Sequence, residues 1–90
     1  KAQIEASLEQ QNLTNDYEKA RSQLQSDNDI LILRKETYSK NLNLYKEGLI
    51  GLDLTKNSLT QLQNAYYNKI SSEINLQLIL AKITINNTIK

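Results

Sequence analysis

Ninety residues carrying 11 basic and 10 acidic side chains, a net charge of +1, no histidine and no cysteine leave several chemistries without their usual residues. Interleaved charge gives no electrostatic footprint for nucleic acid or an anionic membrane surface. The missing thiols and imidazoles remove disulfides, cysteine nucleophiles, the commonest general base and the commonest metal ligand.

Composition also constrains the fold. The apolar fraction is 39%, but Trp, Phe and Met are absent, all five aromatics are tyrosine, and Asn plus Gln make up about a fifth of the chain. That is a poor supply for a compact core, yet too regular an apolar pattern for a disordered tract. Long helices with narrow contact seams reconcile the two. No uninterrupted apolar run exceeds four residues, as at Ile30 to Leu33, so no segment reads as a membrane-spanning helix. The opening KAQIEASLEQ begins in mid-pattern, as a fragment or a mature segment would.

From Lys1 to Glu47 neither glycine nor proline interrupts the chain. Leu13, Tyr17, Ala20, Leu24, Leu31, Tyr38 and Tyr45 recur at heptad-like intervals, which predicts a first helix over about 1–47 with one apolar seam. Asp27, Arg34 and Asn41 occupy the seam positions that the apolar residues skip. Three polar residues in succession predict a seam that borders water or a polar partner.

Both glycines of the chain fall within YKEGLIGLDL, residues 45–54. Gly48 suits the left-handed residue that ends a helix, and Lys46 in the last turn suits the helix dipole. Gly51 then suits the N-cap of a second helix, with Asp53 in its first turn. The turn over 48–51 is too short for any arrangement but adjacent, antiparallel helices. At its apex stand Leu49 and Ile50, where polar residues are the norm, and apolar groups at a tip predict a covering partner.

A second helix is predicted over about 52–86, with two apolar stripes. One is Leu59, Leu62, Tyr66, Leu76, Leu80 and Ile83; the other is Tyr67, Ile70, Ile74, Leu78, Ala81 and Ile85. Two stripes predict two neighbours, as for a helix inside a ring or bundle. The β-branched tail ITINNTIK predicts fraying, or a change to extended chain, between Ile83 and Lys90.

Tyr45, Gly48-Leu49-Ile50 and the Leu52-Asp53-Leu54 step resemble the turn motif of the outer membrane efflux protein family, the TolC-like exit ducts. Asn57-Ser58-Leu59, Ala65-Tyr66-Tyr67 and Leu78-Ile79-Leu80-Ala81-Lys82 are similar to the rhythm of that family's returning helix. The resemblance implies an all-α fold, a long antiparallel two-helix coiled-coil hairpin that is a fragment of a periplasmic α-barrel. It further implies a homotrimer, membrane-anchored elsewhere, that docks its tip on a periplasmic adaptor protein and through it on an inner-membrane pump. Tyr45, Gly48, Leu49, Ile50, Gly51 and Asp53 are then the tip residues, with no cofactor and no catalysis. This chain departs from the pattern at three places: Asp53 follows Gly48 one position early, Lys56 stands where some members have a second aspartate, and Ile50 where others have an arginine. An acidic ring or an arginine latch of the family's kind is therefore not expected.

Plainer readings stand beside these. The glycines can simply make the turn, Leu49 and Ile50 can fold back on Tyr45 or Leu52, and Asp53 can serve only the helix dipole. The tyrosines at helical spacing read as seam residues, and the cluster Asp27, Asp29, Arg34, Lys35 and Glu36 as a solvated face. Asp27 and Asp29 point apart on a helix, and no nucleophile sits beside an activating base, so no enzyme is expected. The α-hairpin of an adaptor and a generic coiled-coil interaction module are the alternatives to a duct.

Overall fold

The structure is a computed structural model and describes residues 2–89; Lys1 and Lys90, included in the predicted first helix and in the predicted frayed tail, lie outside it. It is all-α: α1 runs Ala2–Lys46 and α2 runs Leu52–Ile89, packed antiparallel into a rod of 69 × 14 × 14 Å. The 69 Å length agrees with about 1.5 Å of rise per residue along α1.

The contact between the helices follows a heptad on both sides. In α1 the buried and half-buried residues include Gln10, Leu13, Tyr17, Ala20, Leu24, Asp27, Leu31, Arg34, Tyr38 and Asn41, at alternating spacings of three and four. In α2 they include Thr55, Ser58, Leu62, Ala65, Lys69, Ser72, Leu76, Ile79, Ile83 and Asn86, on the same alternation. This is the seam of an antiparallel coiled coil. Its apolar content is thin, because the buried hydrophobic residues are Ala20, Leu31, Ala65 and Ile79, two of them alanines.

The polar seam residues expected to meet water or a polar partner meet the other helix. Asp27 accepts from Gln23 on its own helix at 3.1 Å and from the Ser72 hydroxyl across the seam, so both of its oxygens are bonded. Arg34 donates to Gln61 Oε1 at 3.1 Å, and Asn41 donates to the Ser58 hydroxyl. At the far end Asn86 donates to Gln10 at 2.7 Å. Each layer satisfies groups that would otherwise be costly to bury, and each fits one register only. Among the described residues no buried side-chain polar atom lacks a partner.

Two expectations are corrected in α2. Tyr66 and Leu80 of the first stripe turn outward, while Thr55, Ser58, Ala65, Ser72 and Ile79 carry the buried seam. Small and hydroxylated residues hold those positions because they let the helix backbones approach where polar layers cross. The tail also stays helical through Ile89. Thr84 and Thr88 bond back to the Leu80 and Thr84 carbonyls at 3.0 and 2.8 Å, and Ile83 and Asn86 hold that end to α1. Tertiary contact here overrides weak helix propensity.

Candidate docking site at the hairpin tip

The tip is a helix C-cap followed directly by a helix start. Gly48 has φ +76°, the left-handed conformation that L side chains avoid. Its N–H donates to the Tyr45 carbonyl at 2.9 Å, and the Leu49 N–H reaches back to the Leu44 carbonyl at 2.9 Å. These paired bonds are a Schellman motif, which satisfies carbonyls the end of α1 would leave open. Glycine at 48 is therefore a backbone requirement.

Gly51 is different. Its φ is not positive, and a Cβ added there meets nothing within 4 Å. It takes the N-cap position before Leu52, and its carbonyl accepts from the Thr55 hydroxyl at 3.3 Å. Nothing in the turn requires a glycine here. Gly48→Ala should accordingly lower hairpin stability by about 1–2 kcal/mol, whereas Gly51→Ser should raise it by a few tenths through a better cap. Thermal melts of the two variants, read by circular dichroism, check the sign of each.

Between the glycines the two apolar residues part company. Leu49 is 68% exposed and projects from the end of the rod, while Ile50 is half-buried. The exposure of Leu49 runs against the fold-back reading, while Ile50 is partly covered. Tyr45 departs from its predicted seam position: it is 40% exposed, and Leu42 and Leu44 are the half-buried residues of that last turn. The two flank the seam, two residues apart and so about 200° round the helix, and Tyr45 lies beyond Asn41 and Ser58, the last hydrogen-bonded layer of the seam before the tip. Leu52 and Leu54 are exposed as well, so Tyr45, Leu49, Leu52 and Leu54 form an apolar collar on the tip. Leu52 and Leu54 were legible only as helix residues, since their outward direction depends on where α2 begins. Asp53 is exposed in the first turn of α2, where its charge complements the helix dipole.

A second apolar surface lies along the rod. Tyr67 is 72% exposed, and Ile70, Ile74, Leu78 and Ile85 are between 52 and 58% exposed, all on the face of α2 turned away from α1. With Ala81 they make a ridge of about 27 Å, from the helical rise. The corresponding back of α1 is mostly polar: Ser22, Gln25, Asp29, Glu36 and Asn43 are exposed along it, and among the described residues its exposed large apolar side chains are Leu8, Ile32 and Leu33. The rod is therefore dry on one back and wet on the other.

Compared with protein-family models, with curated proteins and with solved structures, the chain finds no match in any of the three. Among the described residues no group of three or more acidic side chains is placed to hold a metal ion. Among the described residues no helix is long and apolar enough to cross a membrane. What the surface offers is contact area at the tip and along the back of α2.

Proposed function

We propose that this hairpin is one stave of a helical wall, the periplasmic α-barrel of a TolC-like exit duct in the outer membrane. In that reading each protomer of a homotrimer contributes two such hairpins, neighbouring hairpins cover the back of α2, and the tip docks on a periplasmic adaptor that connects it to an inner-membrane pump. Conduction of small molecules or proteins is passive, and adaptor contact at the tip shifts helix packing to open the duct. The observation that carries the reading is the dry back of α2: a helix that presents one face to α1 and a second apolar face outward is built for two neighbours. The collar at Leu49 supplies the docking end.

One observation favours a second reading, the α-hairpin of the adaptor itself. The wet back of α1 needs no neighbour, and a projecting adaptor hairpin can leave one side in water. A generic coiled-coil interaction module would share the seam but have no use for an apolar tip. Leu49→Asp with Ile50→Asp in the assembled duct protein discriminates among them. Export should be abolished while trimer content stays at the parental level; unchanged export refutes docking through the tip. Both positions lie outside the helical seam, and Leu49→Asp alone, at the fully projecting residue, serves as the variant that leaves half-buried Ile50 in place.

A further inference from the structure

Three charged residues sit in the seam, and two are more fully partnered than the third. Asp27 has a donor on each oxygen, and Lys69 forms an ion pair with Glu73 at 3.6 Å. Arg34 has only the neutral Gln61 Oε1 at 3.1 Å, and among the described residues no carboxylate lies within ion-pair distance of it. Its neighbour Lys35 is spoken for on the opposite flank, its Nζ 5.1 Å from the Tyr66 ring centroid. A half-buried guanidinium with one neutral acceptor keeps most of its N–H donors open. At a seam position an apolar side chain would stabilise the hairpin more, so stability does not explain an arginine here.

The surroundings of Arg34 supply what its charge lacks. Arg34, Gln61, Asn64 and Asn68 line a groove of about 320 Å³ on one flank of the rod, together with Ile30 and Ala65. The polar lining offers one cation and amide groups able to donate, without an acidic residue, and Ile30 and Ala65 add apolar surface. A carboxylate is the anion whose planar, two-oxygen geometry matches the guanidinium fork, and the amides can bond its remaining lone pairs. The volume holds a carboxylate with a short apolar stem. We infer that this notch is a carboxylate-binding site centred on Arg34. Its occupant is either a small free acid or the acidic side chain of a neighbouring helix, which present the same group. The inference is independent of the duct reading, since it requires only the hairpin.

Titration of the 90-residue chain with acetate, glutarate and a helical peptide bearing a single glutamate tests it, followed by NMR of the Arg34 side chain and the Asn64 and Asn68 amides. Saturable shifts in the millimolar range are expected, absent with chloride at equal ionic strength and lost in Arg34→Leu. Arg34→Leu places an apolar residue in the seam and should melt no lower than the parent; Arg34→Gln, which keeps a polar side chain, serves as a second non-binding variant. Saturation by the peptide at concentrations about tenfold below acetate would assign the site to a neighbouring helix, and equal or tighter binding of the small acids to a free ligand. Shifts that fail to saturate with all three probes, or that persist in both variants, overturn the proposal.

Discussion

Leu31→Ala should destabilise the hairpin by about 2–4 kcal/mol, the largest effect expected of any single substitution in the seam. Leu31 is 3% exposed, the more deeply buried of the two large apolar side chains among the buried residues, the others being Ile79 at 9% and two alanines. Its layer lies between the polar layers of Asp27 and Arg34, so the neighbouring side chains that would have to collapse into a cavity are tied to Ser72 and Gln61. Relaxation is restricted, and the cavity remains. A hairpin with so thin a core has a total stability of only a few kcal/mol, so the variant should be largely unfolded at 25 °C by circular dichroism. Ile32→Ala is the control. Ile32 is adjacent in sequence but 56% exposed, and its loss should change stability by no more than about 0.5 kcal/mol.

The second large effect concerns association. Ile74→Asp with Leu78→Asp places two carboxylates in the middle of the dry back of α2, on side chains that are 56 and 57% exposed. Neither residue belongs to the seam, so helicity and melting temperature should change little at concentrations low enough for the parent hairpin to be monomeric. Any assembly through this face, in contrast, would have to desolvate both charges, at several kcal/mol in a packed interface. The duct reading therefore predicts loss of the trimer in the complete duct protein while the hairpin itself still folds. Retention of the trimer at parental levels would show that the back of α2 is not where neighbours meet. This outcome is separable from that of the tip variant, in which the trimer stays and export goes.

Much of the architecture was written in the chain as spacing. The absence of glycine and proline up to Glu47, followed by Gly48, marks the end of α1 within a residue of where the structure places it. Gly48 could be assigned correctly because a left-handed C-cap has a local signature. The outward stripe from Tyr67 to Ile85 was equally plain, since large apolar residues recur at the period of a helix. The inward face of α2 was harder to read. Thr55, Ser58, Ala65 and Ser72 form a strict heptad, but a search for large apolar residues passes over them and assigns Tyr66 and Leu80 in their place. Their signal was the repeat itself, read without regard to hydrophobicity. The partners of Asp27 and Asn41 were hidden for the same reason: pairing across the seam depends on the register of two helices, which the turn length sets and no local pattern records. Tyr45 shows the remaining limit. Its spacing is that of a seam residue, but the last hydrogen-bonded layer of the seam is Asn41 with Ser58, and Tyr45, one turn beyond it, stands exposed at the tip collar.

Those polar layers also bear on function. A seam joined by hydrogen bonds in one register gives the rod a defined length and a defined tip, while supplying little adhesion of its own. Exposed apolar surface is concentrated on the outside, at the collar and the back of α2. In the duct reading, a hairpin organised this way is specified by its own seam and stabilised by its neighbours.

Sedimentation velocity of the 90-residue chain over a range of concentrations tests that division most directly. Concentration-dependent self-association is expected, abolished by Ile74→Asp with Leu78→Asp, together with a melting temperature that rises with protein concentration. A strictly monomeric chain that melts cooperatively at a temperature independent of concentration would contradict it.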